Sequence, residues 1–103
     1  MEDSQTSPPD ANRLLHPAVD CCEIAEFFKL LSSENRLRIL FLLLTCDMTV
    51  SDLVLFLRIP QSTVSSELGL LRRAKVVSAQ KMGRQVLYSI SDQRIGVVLK
   101  LWA

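Results

Sequence analysis

Residues 49–75 read TVSDLVLFLRIPQSTVSSELGLLRRAK. The stretch divides into two short helices with a tight turn between them. Thr49 followed three residues on by Asp52 is close to a capping box, with Asp in place of the usual Glu or Gln, and opens the first helix. Leu53, Val54 and Leu57 give it an apolar face. Arg58-Ile59-Pro60 is the break, because proline disfavours helical geometry in the residue before it. A second helix begins at Pro60 or Gln61, and Val64, Leu68 and Leu71, four and three apart, share one side of it. Its first turns expose Gln61, Ser62, Thr63, Ser65 and Ser66. A helix-turn-helix places short hydrogen-bonding side chains there, where they reach base edges and phosphates. The solvent face of any small helical domain could carry the same residues, so the reading depends on the residues after Lys75.

Those residues form a β-hairpin by pattern. Residues 76–80 (VVSAQ) and 85–90 (QVLYSI) are β-prone, and Lys81-Met82-Gly83-Arg84 between them supplies a turn with a glycine and two positive charges. A hairpin directly after a recognition helix, with Lys81 and Arg84 at its tip, is a wing able to reach phosphates or a minor groove. Charge runs the same way. Residues 1–57 hold four Lys/Arg against nine Asp/Glu, whereas residues 58–103 hold eight against two. The net charge of +1 therefore conceals a basic second half, the electrostatic footprint of a DNA-binding face, with Arg72 among its candidate contacts.

Upstream, residues 1–16 are rich in Ser, Pro, Asp and Gln and read as a flexible N-terminal arm, leaving residues 17–103 as one domain. Pro17 suits a helix start, and a first helix is predicted over 18–31 with Ile24, Phe27, Phe28 and Leu31 on its apolar side. Ser33 caps a second helix over 34–45 that is apolar almost all round and should be central. After the wing, Ser91 or Asp92 caps a last helix dominated by Ile95, Val97, Val98, Leu99, Leu101 and Trp102. Docking on the central helix could cover part of it. A second copy of the chain covers it more simply, giving a homodimer interface of Ile24, Phe27, Phe28, Ile95, Val98, Leu99 and Trp102. The expected class is mainly α with a small hairpin, in the order α-α-α-α-β-β-α.

No apolar run is long enough and free enough of charge to cross a bilayer, and the acidic, polar start is unlike a secretory signal, so a cytoplasmic protein with no membrane contact is expected. Paired carboxylates, nucleophile–base pairs and phosphate loops are not evident, so an enzyme is not expected. Cys21, Cys22 and Cys46 are too few and too odd in number for a disulfide scaffold. They read either as small buried apolar side chains or as a thiol sensor for a soft metal ion or an oxidant. His16, alone beside Pro17, reads as a loop residue.

Four segments, IAEFFKLLSSENRLRILFLL (24–43), TVSDL (49–53), PQSTVSSELGLLRRAKVV (60–77) and KMGRQVLYSI (81–90), together resemble the ArsR–SmtB family of winged-helix repressors. Asn35-Arg36-Leu37-Arg38-Ile39-Leu40 and Gln61-Ser62-Thr63-Val64-Ser65 are the most specific pieces. The resemblance implies a winged helix-turn-helix homodimer, joined through its first and last helices, that binds a palindromic operator in double-stranded DNA and represses transcription. It places Gln61, Ser62, Thr63, Ser65 and Ser66 in the major groove and Arg84 on the wing contact. The chain departs from the pattern at Ser66-Glu67, where Arg-His is frequent, at Gly69, where lysine is, and at Lys75, where a helix-ending glycine is. Thr49-Val50-Ser51 stands where the family's thiol metal site has Cys-Val-Cys, and Arg94 stands where its last-helix site has a histidine two residues after Asp92. Hydroxyls and guanidinium groups are poor metal ligands, so both sites are expected to be lost and no resident cofactor is expected. The alternative function is a winged-helix interaction module with weak DNA contact, for which the Glu67 carboxylate is the reason.

Overall fold

Asp20 opens the first described helix: its carboxylate accepts from the backbone N–H groups of Cys22 and Glu23 at 3.0 and 3.2 Å. The computed structural model describes residues 19–103. The proposed arm, His16 and Pro17 fall outside that range, and the described start of helix α1 (Cys21–Leu31) lies three residues after the expected one. Ser33 caps α2 (Glu34–Thr45) as its spacing implied, accepting from the Arg36 N–H. Ile39, Leu40 and Leu43 of α2 are buried, which makes it the centre of the molecule.

Strand β1 (Met48–Thr49) comes next and was not anticipated. Two residues are too few to show an alternating pattern, so nothing local announces it. It pairs antiparallel with the later β3, Met48 opposite Tyr88 and Thr49 opposite Leu87. Among the described residues the order is therefore α-α-β-α-α-β-β-α, with a three-stranded sheet arranged β1-β3-β2.

Helix α3 (Val50–Leu57) carries the anticipated capping box: Thr49 Oγ1 accepts from the Asp52 N–H and Asp52 Oδ2 from the Thr49 N–H, both at 3.1 Å. It ends at Arg58, whose left-handed backbone (φ 57°) turns the chain before Pro60 is reached. Arg38 reaches across from α2 and donates to the Leu57 carbonyl at 3.4 Å, a cation at a helix C-terminus. Helix α4 (Gln61–Arg73) then packs Val64, Leu68 and Leu71 into the core, against Leu53 and Leu57 of α3 and the buried row of α2.

Helix α4 closes with a Schellman motif. The Val76 N–H donates to Leu71 and the Lys75 N–H to Arg72, at 3.0 and 2.9 Å, and Leu71 and Val76 are both buried beside the turn. Lys75 occupies the position that favours glycine, with φ 62°. A side chain there costs about 1 kcal/mol. Lys75→Gly is therefore expected to stabilise the fold by about 0.5–1 kcal/mol, read as a rise of a few degrees in Tm. An unchanged or lower Tm would show that the backbone is not strained at this point.

Strands β2 (Val77–Met82) and β3 (Gln85–Ile90) form the hairpin. The ladder continues to Met82 opposite Gln85, so Lys81 and Met82 belong to the strand and the loop is only Gly83-Arg84. Gly83, at φ 64°, takes the first loop position, where two-residue hairpins require a positive φ. Asp92 caps α5 (Gln93–Leu99), whose Ile95 and Leu99 are fully buried. The helix is short, and Leu101 and Trp102 lie beyond its end.

Candidate nucleic-acid interface

A thirteen-residue helix with three inward residues has a definite outward side. At 100° per residue from the buried Val64–Leu68–Leu71 row, Ser62, Ser66, Gly69 and Arg73 lie on the opposite ridge of α4. Ser65 and Arg72 lie on one shoulder, Thr63 and Leu70 on the other. Gln61, Ser62, Ser65 and Ser66 are exposed as anticipated, whereas Thr63 is half-buried. Arg72 is exposed but off the ridge, and Arg73, absent from the sequence-based candidates, stands on it. Its spacing of seven from Ser66 is the signal that would have identified it. Arg73 folds back toward the helix start, with Nη1 3.4 Å from where a Cβ on Gly69 would be. Glycine inside a helix costs about 1 kcal/mol relative to alanine, and here its missing side chain leaves room for a guanidinium.

Glu67 lies neither on the ridge nor toward solvent. Its Oε1 accepts from Arg36 Nη1 at 3.0 Å, and the two side chains are 15% and 17% exposed. The carboxylate that counted against DNA contact is thus turned against α2 and neutralised there. No acidic side chain stands on the outward ridge of α4.

Arg84 is exposed at the hairpin tip, and Lys81 is exposed one residue pair down β2. A cleft of about 230 Å³ lined by Thr49, Val50, Ser51, Arg84 and Gln85 brings the wing tip against the start of α3. The wing cation and the helix-turn-helix therefore share one border.

The first and last helices leave a second surface. Ile24, Phe28, Val97, Leu101 and Trp102 are exposed, and Phe28 and Trp102 flank a groove of about 450 Å³ floored by Leu37 and Phe41. Phe27 and Phe28 meet edge to face, 5.6 Å between centroids. Of the interface residues expected from sequence, Ile95 and Leu99 are buried within the protomer, Leu99 at the wall of that groove. Val98 and Phe27 are half-buried, and Val97 and Leu101 join the open face. A one-dimensional pattern marks both sides of so apolar a helix alike and cannot tell which side the core takes.

Asp92, matched to a metal-site position by the resemblance, holds Arg94 instead. Arg94 Nη2 lies 2.7 Å from Oδ2 and Nε 3.0 Å from Oδ1. The hydrogen-bonded guanidinium keeps the Asp92 carboxyl below its usual range, and the carboxylate in turn raises Arg94. Arg94 also stacks over Phe27, 4.6 Å from the ring centre. Among the described residues, no three His, Cys, Asp or Glu side chains come together as a metal-binding group. Cys21, Cys22 and Cys46 are all free and exposed, which corrects the reading of them as buried packing residues.

Comparison with known proteins bears on this arrangement. Residues 33–79 match the model of the bacterial regulatory proteins of the arsR family. The chain is 34% identical over 73 residues to the transcriptional repressor SmtB homolog of Synechocystis, an alignment spanning 71% of this chain but only 55% of that protein. It is 42% identical over 76 residues to the uncharacterized HTH-type transcriptional regulator Rv0081 of Mycobacterium tuberculosis, over 73% of this chain and 67% of that one. The crystal structure of Rv0081 superposes with a TM-score of 0.70, covering 75% of this chain and 78% of that one at 41% identity. The homodimeric winged helix-turn-helix DNA-binding domain of Mb0332 from Mycobacterium bovis gives a TM-score of 0.71 at 25% identity, covering 79% and 75% of the two chains. With its helix-turn-helix, its wing and this kinship in sequence and structure, the chain belongs to the arsR family of winged helix-turn-helix transcriptional regulators.

Proposed function

We propose that the protein is a homodimeric repressor that recognises a palindromic operator. Helix α4 enters the major groove, with Gln61, Ser62, Ser65 and Ser66 at base edges. Arg73 and Arg72 meet phosphates at its far end, and Arg84 with Lys81 meets the backbone or the adjacent minor groove. The dimer forms through the exposed apolar face of α1 and the C-terminal residues; the Mb0332 domain, described as homodimeric, supports pairing by kinship. The carrying observation is the α4 ridge: polar at its start, cationic at its end, and cleared of acid by the Arg36–Glu67 pair. That pair also removes the feature that favoured an interaction module with weak DNA contact.

Selection from a random duplex library, followed by gel shifts, tests this. The selected duplex is expected to be symmetric and bound at least about a thousandfold more tightly than a scrambled one. Affinity should fall steeply with salt, and Arg84→Ala should reduce the slope of log K against log salt by about one. Equal binding to selected and scrambled duplexes would overturn the proposal.

A further inference from the structure

The Arg36 side chain touches three elements. From the first turn of α2, its Nε donates to the Leu30 carbonyl in the last turn of α1 at 2.6 Å. Its Nη1 donates to Glu67 Oε1 on α4 at 3.0 Å. The Ser33 hydroxyl, which caps α2 by accepting from the Arg36 N–H at 3.3 Å, lies 3.5 Å from the other Glu67 oxygen. One guanidinium thus joins the C-terminal end of α1, the start of α2 and the middle of α4. These bonds are charge-assisted, and a planar guanidinium presents its donors in a fixed fork, so it fixes direction as well as distance.

Helix α1 carries the exposed Ile24 and Phe28, on the face assigned to the partner copy. Helix α4 carries the ridge assigned to DNA. Glu67 is therefore well placed to couple the two. It sits about 60° from the buried row of α4, on the side where Arg36 reaches it, so its bond adds a directional hold on the helix beside the non-directional packing of Val64, Leu68 and Leu71.

We infer that Arg36 and Glu67 are positioning residues that hold the recognition helix at a set disposition to the dimerisation helix, and so fix the half-site spacing the dimer accepts. In a two-fold dimer, any change in the α1–α4 relation is doubled across the dyad. A matched operator tolerates little of it, since half-sites must fall one helical turn apart. The inference rests on the proposed function and deepens it.

The test uses the full chain and the selected duplex, together with versions carrying one or two base pairs inserted or deleted at the dyad. The wild type is expected to lose about tenfold or more in affinity for each altered spacing. Glu67→Ala is expected to remain dimeric by sedimentation and to bind the matched duplex, with its preference for the matched spacing reduced about tenfold. Glu67→Gln keeps the shape without the charge and should fall between. Arg36→Lys keeps the charge but loses the fork, and should relax spacing like Glu67→Ala; it also serves if Glu67→Ala does not fold. A purely structural role would lower affinity for every duplex by one common factor. Unchanged spacing preference in the folded variants overturns the inference while leaving the proposed function intact. A wild type that selects no duplex overturns the proposed function, and the inference with it.

Discussion

Phe28→Asp is expected to turn the protein into a folded monomer with operator affinity lowered by about a hundredfold or more. Phe28 is 53% exposed in the protomer, so the substitution removes little from its own core. In the dimer the ring would be covered, and burying such a side chain is worth about 1.5–3 kcal/mol per copy. Two-fold symmetry doubles that loss and sets two unpaired carboxylates at the interface, each costing a further few kcal/mol, about 3–5 when no partner charge is near. Two half-sites on one duplex then lose the linkage that multiplies their separate affinities. Analytical ultracentrifugation and gel shifts on the selected duplex would read both effects, with circular dichroism to show that the helices persist. A Phe28→Asp protein that still sediments as a dimer and binds as the wild type does would place the interface elsewhere.

The second large effect is on stability. Leu68 is 1% exposed, at the centre of the buried row of α4. Leu68→Ala leaves a cavity between α4 and α2 and should cost about 2–5 kcal/mol. A domain of this size shifts by about 4–8 °C in Tm for each kcal/mol, so a fall of at least about 8 °C is expected. Operator binding should weaken as well, although none of Ser62, Ser65, Ser66 or Arg73 has been touched. A change below about 1 kcal/mol in chemical denaturation would mean that the helix–helix seam closes around the missing methyl groups.

Much of this architecture is legible in the residues alone. The capping box at Thr49 and Asp52, the cap at Ser33, the buried row of α4 and the hairpin after it all depend on neighbours within a few residues. Local chemistry decides such features, and local chemistry is what a sequence displays. The features that escape a sequence reading share the opposite property. Strand β1 exists only because β3 lies beside it, some forty residues later. The inward turn of Glu67 depends on an arginine thirty-one residues earlier. Ile95 and Leu99 were assigned to the partner because Val97, Val98 and Leu101 are equally apolar, and only packing against α2 decides which side faces in. In the candidate site, the serines and Arg84 were legible by residue type. Arg73 was legible too, by its spacing of seven from Ser66; what the sequence does not display is that its guanidinium lies over Gly69.

Thr49 belongs at once to the sheet, opposite Leu87, and to the cap of α3 through its hydroxyl and N–H. The hairpin is therefore not a free-swinging flap: it is hinged on the same residue that seals the helix-turn-helix. Any tug that a duplex exerts on the loop at Gly83-Arg84 is transmitted along β3 to that pivot, so prying the sheet apart at its root and fraying the first turn of α3 are a single event.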